Sequence, residues 1–243
     1  MEFPVLFLVL LPIVAFLYAA VGHGGASGYL ALMALFSFAP ENMKSIALLL
    51  NLFVAGISFF HFARSRFFKP KLFLVFAVVS IPLSFLGGML DVDAHIYKIT
   101  LGMLLLFAIA KILNLFGKEN TELRKPNWFL GIGIGGLIGF FSGLIGIGGG
   151  IILSPVILLL RWGTVKEAAA VSALFIWVNS AAGIGGQFYS GATIPLATWV
   201  LVALALLGGF VGGLIGSKKW DNRTLRYALI LVLILASIKL MLA

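Results

Sequence analysis

The chain has 243 residues, 62% of them hydrophobic and 10% charged, with a mean hydropathy of +1.16, a composition that excludes an ordinary water-soluble domain and belongs to a protein solvated by lipid. Its 17 lysines and arginines against 8 acidic residues leave a formal charge of +9, but they sit mainly in short loops between apolar runs, where they meet anionic headgroups and set orientation; no nucleic-acid partner is expected. The absence of cysteine excludes disulfides, thiolate metal sites and a cysteine nucleophile.

Met1-Glu2-Phe3-Pro4 lacks the basic region of a signal peptide, so Pro4 to Val21 is read as a retained first spanning helix. Gly22-His23-Gly24-Gly25-Ala26-Ser27-Gly28 then predicts a break, because glycine is costly within a helix and opens backbone conformations closed to other residues. A half-helix follows from Tyr29 to Phe38. Lys44 to Phe62 is the next span and carries Asn51, Ser58 and His61; Arg64, Arg66, Lys69 and Lys71 form a basic loop. In the third span, Leu72 to Leu90, Ser80, Ser84 and Gly88 recur every fourth residue, the small-residue spacing of closely packed membrane helices. Asp91 and Asp93 are expected to cap the fourth span, Ile96 to Phe116.

Residues 118–127 are the most polar stretch and separate two halves. Trp128 opens the fifth span, whose Gly131, Gly135, Gly139 and Gly143 lead into a second and denser glycine cluster, Gly146-Ile147-Gly148-Gly149-Gly150. A half-helix runs to Leu160, Thr164 and Glu167 have capping-box spacing, and Ala168 to Phe188 is the sixth span, with Ser172, Asn179, Ser180 and Gln187. Ile194 to Gly216 and Tyr227 to Leu242 complete the chain. Gly22, Gly24 and Gly25 fall on Gly146, Gly148 and Gly149, and later positions keep matching. The expectation is an all-α membrane protein of about eight transmembrane helices in two internal four-helix repeats with Gly-rich helix breaks: a first repeat over 1–117, a connecting loop over 118–127 and a second repeat over 128–243. With Lys44 counted among the loop charges, basic residues divide almost evenly between the two sides of eight plain crossings, and the basic loops follow the second span in one half and the third in the other, as if the repeats were inverted. Inversion needs an odd number of crossings per repeat, so a re-entrant hairpin at each break and plain crossings both stay open.

In hydrocarbon, unpaired backbone survives only where protein, water or a ligand satisfies it, and a half-helix N-terminus presents N–H groups and a positive dipole end to a small anion. The candidate substrate-binding residues are therefore Gly22, His23, Gly24, Gly25, Ser27 and Gly146, Gly148, Gly149, Gly150 at the breaks, with Asn51, Ser172 and Asn179 on the spans that follow. Each of the span residues reads equally as interhelical glue, and the four-residue glycine ladders read as helix packing. His23, the one readily titratable side chain within a break, is a proton-coupling candidate or a neutral histidine bonded to backbone. Lys111 and Lys239, near span ends, are expected to snorkel. With no HExxH, GxSxG or paired intramembrane aspartates, no catalytic residue, metal or cofactor is expected.

The two glycine clusters, the second followed by Pro155 and each by an Ala/Ser-containing span, resemble the TauE/SafE family of sulfite exporters over nearly the whole chain. The first departs from the pattern, with His23 inside it and no proline at Leu30 or Ala31 opposite Pro155. The resemblance implies a multi-pass permease of a bacterial or archaeal inner membrane that moves sulfite, thiosulfate, an organosulfonate or a related sulfur anion with the proton gradient. Its partners would be that anion and membrane lipid, with assembly into a homo-oligomer left open. An uncoupled anion channel and a membrane assembly or sulfur-relay component are the alternatives.

Overall fold

Aliphatic runs without interior charge leave the backbone little to bond but itself, and the chain answers with helices. The computed structural model describes residues 3–20, 24–64, 66–113, 123–216 and 223–242, and among these residues there are ten α-helices and no strand. They are α1 (Val5–Ala20), α2 (Ala26–Leu35), α3 (Pro40–Arg64), α4 (Pro70–Met89), α5 (Ala94–Ile112), α6 (Trp128–Ile145), α7 (Gly150–Leu159), α8 (Val165–Tyr189), α9 (Thr198–Gly216) and α10 (Arg223–Leu242). Of the predicted caps, that of Asp93 forms, its Oδ1 accepting from the backbone of His95 at 2.9 Å at the start of α5, and Thr164 and Glu167 close a reciprocal capping box on α8; no cap bond of Asp91 is seen among the described residues. Among the described residues four helices, over Pro40–His61, Pro70–Met89, Trp128–Ile145 and Val165–Tyr189, are long and apolar enough to cross a bilayer, where the sequence suggested about eight. The other fully described apolar stretches, Ala94–Ala110 and Thr198–Leu214 among them, are shorter than these. Large side chains on the outer faces of the helices, such as Phe129 of α6 at 90% exposure and Leu207 of α9 at 66%, suit lipid rather than water.

The helix pairs at the two breaks double back. Phe7 in the first turn of α1 packs edge-on to Phe36 and tilted against Phe38, with ring centroids 5.6 and 4.8 Å away, beyond the end of α2, so α2 finishes where α1 began. Likewise the Arg124 N–H, before α6, donates to the Arg161 carbonyl after α7 at 2.7 Å. Of the two arrangements left open above, hairpins are what forms. The short returning helices start beside the middle of long ones: Gly24 lies against Asn51 and Ala55 of α3, and Gly150 against Ser172 and Ile176 of α8.

Neighbouring residues fix the directions of the other helices. Gly135, Gly139 and Gly143 of α6 lie in order on Phe76, Ser80 and Ser84 of α4, and Gly208 and Gly212 of α9 on Pro12 and Phe16 of α1, so each pair runs parallel. A Cβ at any of these glycines would strike the partner's backbone, the close approach that the four-residue spacing predicts. Helix α8 runs parallel to α4 through Ser80–Asn179 and Phe85–Gly186, and antiparallel to α3 through Ser45–Gln187 and Gly56–Trp177. Val54 and His61 of α3 face Gly209 and Gly213 of α9 in the same sense. Hence α1, α3 and α9 point one way and α4, α6 and α8 the other.

Two lysines depart from the sequence reading. Lys44, counted as a loop charge, is 8% exposed and its Nζ donates to the carbonyls of Gly88 and Leu90 at 2.8 and 2.9 Å, where the end of α4 leaves acceptors unpaired. Lys239 does not merely snorkel: it donates to the Leu35 carbonyl and to Ser37 Oγ, each at 2.8 Å, and so ties α10 to the end of α2. The Lys111 side chain lies outside the described residues.

Candidate anion site between the helix breaks

Four glycines carry the breaks. Gly146 ends α6 at φ 86°, Gly148 and Gly149 follow at 73° and 76°, and Gly25 precedes α2 at 91°. These left-handed values are strained for any residue with a Cβ, which is why both clusters consist of glycine. As N-caps of α2 and α7, Gly25 and Gly149 supply no side-chain acceptor. The first backbone bonds back into the caps come from Tyr29 in α2 and from Ile152 and Leu153 in α7. The N–H groups of Ala26, Ser27, Gly150 and Ile151 stand before those bonds, at the positive ends of two helix dipoles. Because α1 and α6 are opposed and each hairpin reverses direction, α2 and α7 point away from one another and their N-termini meet.

Asn51 lies between them. It is fully buried; its Oδ1 is 3.2 Å from where a Cβ on Gly24 would stand and its Nδ2 2.5 Å from that of Gly148, so it touches both breaks. Among the described residues neither amide atom has a hydrogen-bond partner, a costly state for a buried polar group and one that a ligand or water would relieve. Ile176 of α8 faces the same two glycines. Beside them a cleft of about 10 Å³ is lined by Tyr18, Gly24, Gly25, Ala26, Ser27, Ile147, Ile151 and Ile176, room for a single water, so an oxyanion between the breaks requires a conformation more open than this one.

The other predicted residues divide. Ser27 stands in the first turn of α2 at the cleft, but its hydroxyl is 2.7 Å from the Tyr18 hydroxyl, so it reaches a ligand only through or in place of that bond. Ser172 is bonded to Ser154 of α7 at 2.8 Å. Asn179 accepts from Ser80 Oγ at 2.6 Å, donates to the Phe175 carbonyl at 2.8 Å and accepts from Ser84 Oγ on its own carbonyl. In this arrangement Ser172 and Asn179 act as the interhelical glue that was their other reading. Gly22 and His23 lie outside the described residues. Sequence reasoning passed over Tyr18, Tyr29 and Ile176. Tyr29 covers Gly25 and leaves its buried hydroxyl unpartnered; two tyrosines flanking a glycine cluster in an aliphatic segment were the available signal.

Lipid-facing helices around two interrupted ones, with bare amides meeting in the interior, define a multi-pass membrane transporter. The family model for the sulfite exporter TauE/SafE matches residues 6–240, and the chain belongs to that family. It is 36% identical over 234 residues, 94% of either chain, to a probable membrane transporter protein of Sinorhizobium fredii. A second, from Methanocaldococcus jannaschii, is 27% identical over 251 residues, covering 92% of each. A third, from Bacillus subtilis, is 35% identical over 111 residues, 46% of this chain and 40% of that protein. No solved structure matches the chain. The family and these relatives are membrane transporters, so the protein is a permease rather than an enzyme.

Proposed function

We propose that the chain is a permease for a small sulfur-containing anion such as sulfite, thiosulfate or an organosulfonate, bound between the two breaks and driven by the proton gradient. The observation that carries this reading is the unpartnered Asn51 amide, held between two facing half-helix N-termini. Such termini hold an anion without a buried cation.

In this reading residues 1–117 and 128–243 are two four-helix repeats of opposite direction joined by 118–127, built on α1, α3, α4 and α5 and on α6, α8, α9 and α10, with α1 and α6 each the outgoing arm of a hairpin. The opposed directions of α1 and α6, α3 and α8, and α4 and α9 support it. So does the hairpin in each half, which leaves three net crossings per repeat, the odd number that inversion requires. Gly22, Gly24, Gly25, Gly146, Gly148, Gly149 and Gly150 let the backbone approach the anion, and Asn51 grips it. His23, next to Gly24 in the chain, carries the coupled proton. Because the ladders join α4 to α6 and α1 to α9 across the halves, the units that rock are these composite pairs rather than whole repeats.

Uptake into proteoliposomes of sulfite, thiosulfate, sulfate and methanesulfonate, with and without an imposed pH gradient, tests the proposal. Saturable flux driven uphill by the gradient is expected. Non-saturating conductance indifferent to the gradient would make the protein a channel, and no anion flux would remove the reading altogether. His23→Ala should flatten the pH dependence of flux; an unchanged profile takes His23 out of coupling.

A further inference from the structure

We infer that, of the anions named in the permease reading on which this rests, the site between the breaks takes one that is singly charged and carries a hydrogen-bond donor of its own, as hydrogen sulfite does; it rejects dianions, thiosulfate included, and disfavours sulfonates that lack the donor. Two observations lead there, one about charge and one about hydrogen bonds.

Among the described residues, none that lines the cleft is charged. Lys44, farther along α3, has its ammonium committed to the carbonyls of Gly88 and Leu90. The positive potential therefore comes from the N-termini of α2 and α7, each ten residues long and each worth roughly half an elementary charge, together about one. That balances a monoanion. A dianion would be left with about one uncompensated charge, and its cost of leaving water is about four times that of a monoanion, because the Born term grows as the square of the charge.

The second observation is the Asn51 amide. The backbone groups that open α2 and α7 are all donors, and a ligand offering only acceptor oxygens satisfies them and Asn51 Nδ2 as well. It leaves Asn51 Oδ1, fully buried and without a partner, facing another acceptor. Turning the amide over exchanges its two ends but removes neither function. A ligand with one acidic hydrogen completes the set.

The titratable side chains that face the cleft among the described residues are Tyr18 of α1 and Tyr29 of α2; α3, α7 and α8 bring none to it. His23 adjoins Gly24 in the chain, so the measurement is made on the wild type and in the His23→Gln background. Binding of sulfite, methanesulfonate and sulfate to the full chain in detergent is followed by calorimetry from pH 6 to pH 9, with no gradient present. The apparent affinity for sulfite should fall about tenfold for each pH unit above its second ionisation, as the competent fraction falls, in both backgrounds. Methanesulfonate, singly charged without a donor, should bind at least about tenfold more weakly than hydrogen sulfite and without pH dependence. Sulfate should bind more weakly still. Sulfite affinity constant over this range, or sulfate bound as well as sulfite at pH 6, overturns the inference. In Asn51→Leu the preference for hydrogen sulfite over methanesulfonate should vanish; a folded variant that keeps it removes Asn51 from the role. If that variant does not fold, the pH series in the other two backgrounds decides alone. Failure of the wild type to bind or transport any of the three anions would instead bring down the permease reading beneath it.

Discussion

Two seams that correspond in the two-repeat reading proposed above, α4 against α8 and α9 against α3, are built differently. The first is tight. Cβ atoms on Gly88 and Gly186 would strike the backbone of Gly183 and Phe85, and Ser80 and Ser84 donate to Asn179 across it. The second contains a cleft of about 420 Å³ lined by Leu52, Phe53, Phe60, Trp177, Leu206 and Phe210 among others. By contrast the other corresponding pair, α4–α6 and α1–α9, is alike on both sides, with glycines of one helix on the backbone of the other. The difference teaches where the molecule can change. Contacts that match are candidates for rigid units, and the pair that does not match marks the seam whose opening and closing would exchange access to the site, since close-packed interfaces switch between discrete arrangements rather than deforming smoothly.

The largest effect should come from breaking a rigid unit. Gly139→Val drives side-chain atoms into the Ser80 backbone of α4, which cannot yield as a flexible side chain would, and should cost roughly 3 kcal/mol or more. Gly133→Val, on the same helix with nothing within 4 Å, should stay within about 0.5 kcal/mol. Thermal unfolding in detergent compares the two, and equal stability would mean that the ladder holds nothing together.

Next comes the break itself. Gly149→Val combines a φ of 76° with Cβ contacts of 2.8 Å to Ile138 Cγ2 and Phe175 Cε1, yet lies outside the ladders. Transport should fall to background while most of the protein still inserts and elutes as a single species, and wild-type uptake would exclude an anion site at this glycine.

The mildest change sharpens the comparison directly, because the chain has no native cysteine. Val54 Cβ is 3.6 Å from the Cβ position of Gly209 across the α3–α9 seam, and Val79 Cβ is 3.9 Å from that of Gly136 within the α4–α6 pair, both suited to a disulfide. Oxidising Val54→Cys/Gly209→Cys should stop uptake until a reductant is added. The cross-link Val79→Cys/Gly136→Cys should leave uptake within about twofold of the reduced protein if α4 and α6 move as one. Inhibition by the second and not the first would reverse the assignment of moving and fixed seams.

Much of this architecture was legible in the sequence because its causes are local. Apolar runs, the every-fourth-residue glycines, the Thr164–Glu167 box and the breaks at Gly25 and Gly146–Gly149 each follow from the backbone preferences of a few adjacent residues and from lipid's inability to satisfy a bare amide. Asn51, Ser172 and Asn179 looked equivalent for the opposite reason: what separates them is a partner on another helix. Ser154 and Ser80 engage two of them, and no hydrogen-bonding group among the described residues engages the third. The same holds for Lys44, a loop charge by position and a helix cap by contact, and for the hairpins, which Phe7 against Phe36 and Arg124 against Arg161 decide. The sequence by itself determined the membrane class and the places where helices stop, since those depend on short-range conformational cost. Only the tertiary structure decided which way the chain turns after each stop and which buried amide remains unpaired, since those depend on packing between residues far apart in the chain.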